Sequence, residues 1–214
     1  MSDKNFNQDF SWGTFYAHRK EFRKRHPSVY GLKVEKKLLD VITEELRGNE
    51  SILDVGASTR TLGERVKSFY PDLNYKTMDV DPAGDHDYKS IEEIDEKFEL
   101  IILSEVIEHL EFNDGMKLLA DLKVLLASGG RLVISTPNMN HPNRYWADSD
   151  HKTPYMYDEF GGALGLAGYD VDKMYRIYND SFFARIFRLY VMAPLHRYLD
   201  VDFATSIVAV AKVK

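Results

Sequence analysis

The sequence predicts an α/β fold built on a doubly wound, mostly parallel sheet with helices on both faces. Three observations carry this. Strand-like runs alternate with helical stretches along most of the chain. The strand runs are continuously apolar, as strands covered on both faces are. The 214 residues suffice for one core of this kind and leave no comfortable room for a second domain.

Taken in order, residues 1–32 read as an N-terminal arm. Met1 to Phe10 is polar and lacks the basic start and apolar centre of a signal peptide. Residues 11–30 mix aromatics with seven His, Lys or Arg side chains and show no clean period. That basic run reads either as a solvated helix face or as a flap over an anionic group. Val34, Leu38, Leu39, Val41, Ile42 and Leu46 then recur at helical spacing, and Gly48 supplies a stop.

The main domain, 33–214, continues with a strand at 51–55 (SILDV), a helix near 61–69 and a strand near 74–79. A strand at 98–104 (FELIILS) precedes a helix near 113–126, whose apolar side carries Met116, Leu118, Leu119, Leu122 and Leu125. RLVIST at 131–136 follows Gly129 and Gly130 as a further strand, and a substrate-side insert is expected near 139–157. After a helix near 155–167 ended by Gly168, two strand candidates at 170–178 and 204–213 read as an antiparallel pair at one sheet edge. Between them, near 179–203, lies a lid-like or packing insert. Its stretch SFFARIFRLYVMAPLHRYL (181–199) reads first as a packed helix with snorkelling arginines, second as a cover for an apolar or anionic substrate, or a peripheral membrane contact.

Composition removes several classes. With 44% hydrophobic and 29% charged residues, the chain has the balance of a folded globular protein. Its net charge of −6 gives no general reason to approach a phosphate backbone, so no nucleic acid partner is expected. Cysteine is absent, which excludes disulfides, thiolate metal sites and cysteine nucleophiles. No run approaches the roughly 18 apolar residues of a membrane span, so a cytoplasmic protein without stable membrane insertion is expected. Nothing in the sequence fixes an oligomeric state.

The sharpest motif is a strand ending in an acid and a glycine turn, Ile52-Leu53-Asp54-Val55-Gly56-Ala57-Ser58. Ligands of open parallel sheets bind where strands end, and a turn without a side chain lets backbone approach them. Twenty-five residues after Asp54 the next strand ends at Asp79, where a carboxylate can accept from both hydroxyls of a ribose. The two together imply an adenosine-containing ligand.

The runs SILDVGAS (51–58), MDVDP (78–82), KFELIILSEVIEHL (97–110) and LLASGGRLVISTPN (125–138) together resemble small-molecule S-adenosylmethionine-dependent methyltransferases with a Rossmann-like fold, in particular the branch of the ubiquinone-biosynthesis O-methyltransferases. The resemblance spans about 33–178. It implies a seven-stranded sheet with an antiparallel last strand. It also implies S-adenosylmethionine as cofactor, with Asp54 and Gly56 facing its methionine portion and Asp79 on the ribose; Ser58, where the family has a glycine, is able to hydrogen-bond the ligand. Asp87, at the end of a short strand in HDYK, matches the acid that meets the adenine amino group, with Tyr88 beside it. Ser104 and Glu105 match the place where main chain meets the methionine end.

In such a reaction the sulfonium already makes the methyl group electrophilic, so the protein aligns a small-molecule acceptor and excludes water. A hydroxyl acceptor gains from a base, and His109 and His151 are the candidates. Asp148, Asp150 and His151 form a short acid-rich loop that is expected to be solvated, and no metal is expected there. The place after the fourth strand reads Ser104-Glu105-Val106-Ile107, without the Asn- or Asp-Pro-Pro-aromatic run of enzymes that methylate base amino groups. A hydroxyl oxygen of a phenol, quinol or sugar-like metabolite is the leading acceptor, with nitrogen and carbon acceptors still open. Ser58 and Arg60 replace the second and third glycines of the family loop. They keep open a non-catalytic cofactor-binding module, while an NAD-dependent oxidoreductase would need the G-x-G-x-x-G spacing that Ser58 breaks.

Overall fold

The computed structural model describes residues 11–214; Met1 to Phe10, with the expectation placed on it, lies outside the described residues. The strands are β1 (Lys33–Glu35), β2 (Ser51–Val55), β3 (Asn74–Met78), β4 (Phe98–Ser104), β5 (Leu126–Pro137), β6 (Tyr169–Ile177) and β7 (Ser206–Val213). They form one sheet in the order β1-β6-β7-β5-β4-β2-β3. The pairs β1–β6, β2–β3, β2–β4 and β4–β5 are parallel, and β7 runs antiparallel to both of its neighbours. The α/β class and the antiparallel last strand stand as expected.

Because successive strand residues point to opposite faces, each apolar strand feeds two cores. Leu53, Val55, Ile101, Leu103, Leu132 and Ile134 point to one. There they meet α1 (Trp12–Arg25), α4 (Phe112–Leu125) and α5 (Tyr157–Leu166). Ile52, Leu100, Ile102 and Val133 point to the other, covered by α2 (Leu38–Glu45) and α3 (Thr61–Phe69) through Val41, Ile42 and Val66. This two-sided burial is why the strand runs show no polar alternation.

Outside the insert near 179–203, the structure differs from expectation at four places. Val34 does not begin the first helix of the main domain. Its neighbourhood is the edge strand β1, paired Val34 to Arg176, and α2 starts at Leu38 after the Lys37 amide donates to Asp40 (3.0 Å). A three-residue strand has too few positions to show a period. The antiparallel pair is consequently not at the sheet edge, since β1 covers β6. The short strand expected in HDYK is a single bridge, Met78 to Tyr88.

The fourth difference is in residues 11–30, which contain a docked helix and no separate arm. Phe15 and Phe22 of α1 are buried, and the glycines of α5 make room for Phe22 and the helix backbone. A Cβ at Gly161 would lie 2.5 Å from the Phe22 ring, and one at Gly162 would lie 3.0 Å from the Arg19 backbone. Part of the basic run is paired there, Arg19 and Arg23 meeting the buried Asp158 at 2.7 and 2.8 Å. Helix propensity favours alanine over glycine by about 1 kcal/mol. Gly161→Ala is nevertheless expected to lower unfolding free energy by about 1–3 kcal/mol through overpacking against Phe22, read by urea denaturation.

Candidate active site

The carboxyl ends of β2, β3 and β4 converge on one turn. Gly56 has φ +72°, a left-handed conformation that side chains resist, and its amide and that of Ala57 donate to the Met78 carbonyl (2.8 and 3.2 Å). A Cβ at Gly56 would lie 2.4 Å from Val106 Cγ2, so the segment after β4 also closes on this residue. Ser58 and Arg60 have positive φ as well, 44° and 61°. The loop therefore keeps left-handed backbone at these non-glycine residues, at a cost of about 1–2 kcal/mol each. Asp79 holds the loop, one oxygen accepting from the Ser58 amide (2.7 Å) and the other from the Asp81 amide (2.9 Å).

A cavity of about 750 Å³ opens beside this turn, within the size range of small-molecule sites. Gly56, Ser58, Asp79, Glu105 and His109 line it, as do Leu118, expected only on the apolar side of its helix, and Ile91, Glu92 and Lys117, which the sequence did not single out. The other expected residues stand around it. Asp54 is buried beneath the turn, accepting from the Tyr75 hydroxyl at 2.7 Å. Asp87 is bound to β3: its carboxylate accepts from the Thr77 amide and hydroxyl (2.9 and 3.1 Å) and from Lys76 (3.1 Å). Burial raises its pKa, but these bonds together hold it below the ordinary value. Tyr88 is stitched to the same strand by its backbone, and its hydroxyl donates to Glu96. Ser104 meets Ser135 at 3.4 Å.

On the acceptor side, a 3₁₀ turn at Ile107–His109 brings Glu108 and His109 up to His151. The amides of Lys152 and Thr153 donate to the Glu108 carbonyl (2.8 and 3.0 Å), which fixes the His151 segment against that turn. The rings of His109 and His151 are 4.7 Å apart. His151 Nδ1 lies 2.7 Å from the Tyr145 carbonyl; as donor there it leaves Nε2 with a free lone pair. Asp150 is 3.3 Å from His109 Nδ1 but too poorly aligned to satisfy it.

Glu108 is the residue that sequence reasoning missed. Its exposure is 0%, and neither carboxylate oxygen has a hydrogen-bond partner. Burial first, and the nearby Glu105 carboxylate second, push its pKa up to about 8. One ligand atom each from Glu108, His109 and His151 lie within 4.8 Å of one another, a spacing that suits a single cation. The signal was present in SEVIEHL, where an acid directly precedes the histidine, but nothing in the sequence showed that this acid points inward. Glu105, at φ 53°, accepts from the Ser135 hydroxyl at 2.8 Å and has Arg144 at 4.0 Å.

Residues 23–174 match the methyltransferase domain family. The chain belongs to that family. No curated protein matches it. In fold it is similar to a SAM-dependent methyltransferase from Archaeoglobus fulgidus, with a TM-score of 0.59 and 16% identity over 92% of this chain and 94% of that one. It is also similar to the mitomycin 7-O-methyltransferase MmcR (TM-score 0.58, 12% identity, 82% of this chain and 53% of that one). The [4+2]-cyclase SpnF shares the fold equally, with a TM-score of 0.58 and 12% identity over 93% of each chain. Such likeness shows architecture alone, so chemistry has to be argued from the site.

Two outcomes test this geometry. Gly56→Ala should abolish adenosyl-ligand binding, and adding Val106→Ala should recover fold stability only in part, because the clash is relieved while the positive φ remains. Ligand titration and thermal melts of both variants check this. Burial, with Asp79 adding to it against the Tyr75 hydrogen bond, pushes Asp54 up to about 6. A carboxyl raised on folding contributes stability below its unfolded pKa and loses it as pH rises through the folded value. Asp54→Asn should therefore gain on the parent by up to about 3 kcal/mol between about pH 4 and pH 7.5, read by urea denaturation of the ligand-free protein at both.

Proposed function

We propose that this methyltransferase transfers the methyl group of S-adenosylmethionine to a hydroxyl oxygen of a small molecule. The observation that carries the reading is the single cavity that runs from Gly56, Ser58 and Asp79 to Glu105 and His109. The first end offers the glycine turn and ribose acid that an adenosyl ligand needs. The second borders the Glu108, His109 and His151 cluster. Asp79 keeps a lone pair on each oxygen beyond the amides it already accepts, enough for two ribose hydroxyls.

A divalent cation on Glu108, His109 and His151 accounts for the buried, unpartnered carboxylate better than two free imidazoles do. An ionised carboxylate without a partner is costly to bury, and a cation with mixed nitrogen and oxygen ligands removes that cost. Bound there, the cation would draw down the pKa of an acceptor hydroxyl. The residues then act by position. Tyr145 holds the His151 ring, and Lys152 and Thr153 hold the Glu108 turn. As the oxygen–carbon bond forms, the carbon–sulfur bond breaks, S-adenosylhomocysteine leaves, and the hydroxyl proton goes to water.

A cofactor-binding module without catalysis is the second reading, favoured by Ser58 and Arg60 in left-handed backbone. Calorimetric titration is expected to give micromolar binding of S-adenosylhomocysteine, weakened by Asp79→Ala, and none of NAD. Absence of adenosyl-ligand binding would overturn the cofactor assignment. Binding without turnover over a panel of phenols, quinols and sugars would favour the module. Titration of the chelated protein with Mg²⁺, Mn²⁺ or Zn²⁺ is expected to show one site that Glu108→Gln and His151→Ala remove. If no ion binds while methyl transfer persists in chelator, His109 and His151 act as bases and the cation reading fails.

A further inference from the structure

The segment between β6 and β7 is not the packed helix that its composition predicts. It forms α6 (Phe182–Ile186), a π-helical turn at Phe187–Val191 and α7 (Ala193–Tyr198), and it points its apolar side chains outward. Phe183, Tyr190 and Tyr198 are 83%, 76% and 84% exposed, and Phe182, Phe187 and Val191 are exposed beside them. Two of its polar groups, Arg188 and His196, face in. Arg188 pairs with Asp180 (2.9 Å) and lies 4.6 Å from the centre of the Phe203 ring. His196 is buried against Phe203, and the Tyr30 hydroxyl donates to the carbonyls of His196 and Val201 (both 3.2 Å). An excursion anchored by its polar groups and showing its aromatics to solvent is the reverse of an ordinary surface helix. None of the described helices is long and apolar enough to cross a membrane.

Charge decides what covers it. From Ser181 to Leu199 the chain has three arginines and no Asp or Glu, in a protein whose net charge is −6; Arg188 is paired with Asp180 and His196 is buried, so Arg185 and Arg197 carry the remaining positive charge. A two-fold interface between copies would set this patch against itself, with no Asp or Glu between Ser181 and Leu199 to pair Arg185 and Arg197. An anionic bilayer offers phosphates to Arg185 and Arg197 and an apolar boundary to the phenylalanines, with tyrosines at headgroup depth. The acidic remainder of the surface is repelled by the same bilayer, which selects this face for contact.

We propose that residues 181–199 dock this protein peripherally on an anionic phospholipid surface. The segment leaves the end of β6 and returns at the start of β7, so it lies at the carboxyl edge of the parallel strands. Docking turns the edge that carries the cavity toward the lipid. The inference does not depend on the identity of the acceptor.

Sedimentation of the full chain with vesicles tests it. Binding is expected with mixed phosphatidylglycerol and phosphatidylcholine vesicles, to weaken with added salt, and to be at least about tenfold weaker with phosphatidylcholine alone. Phe183→Ser with Tyr190→Ser should reduce binding by about tenfold or more. Arg185→Glu should reduce binding to the anionic vesicles. Phe183 and Tyr190 are exposed and Arg185 is half-buried, so all variants are expected to keep the parent melting temperature, which confirms that they fold. No binding to either vesicle, or equal binding to both, would overturn the proposal. So would a concentration-dependent dimer in light scattering that the same substitutions dissolve, because the patch would then be a protein interface.

Discussion

The left-handed turn at Gly56 is the constraint on which the rest of the site depends. It ties three strand ends together: its own amide reaches the Met78 carbonyl of β3, and Val106, just beyond β4, fills the space that a side chain would need. With no side chain at this corner, the backbone of β2 stays open to a ligand, and Asp79 can reach across to the Ser58 amide. The buried Asp54 and its Tyr75 partner support the corner from below. The same convergence places the turn after β4, with Glu105, Glu108 and His109, at the other end of one cavity.

Two kinds of local cost accumulate around this corner. Ser58, Arg60 and Glu105 adopt positive φ without being glycine, and Glu108 buries a carboxylate that no protein group satisfies. Neither is explained by packing. Both lie where an adenosyl ligand and an acceptor would meet, the setting in which strain and unpaired polar groups most often serve function. The outward-facing aromatics of α6 and the following π turn are a third departure from economical folding. They too lie at the carboxyl edge of the parallel strands.

The short edge strand β1 and the docking of α1 show how the remainder supports the site. β1 covers β6, and α1 seals α5 through Phe22 over Gly161. Arg19 and Arg23 neutralise the otherwise buried Asp158. Arg19 and Arg23 therefore help to hold a helix in place.

What the sequence by itself determined was whatever is repeated or local. Continuous apolar runs recorded two-sided burial in β2, β4 and β5. The glycine turn and the strand-end acid marked Gly56 and Asp79, since both depend on backbone conformation a few residues away. Only the tertiary structure decided which polar groups are left without partners and which apolar ones without cover. Glu108 looks like any acid beside a histidine until the 151–153 segment and Tyr155 come up to it, and the sequence does not show that Asp87 accepts from Thr77 and Lys76. The aromatics of 182–198 read as core because hydrophobicity records what a side chain prefers. Whether that preference is met depends on neighbours that lie distant in sequence, and in this fold those neighbours hold the segment by its arginine and histidine.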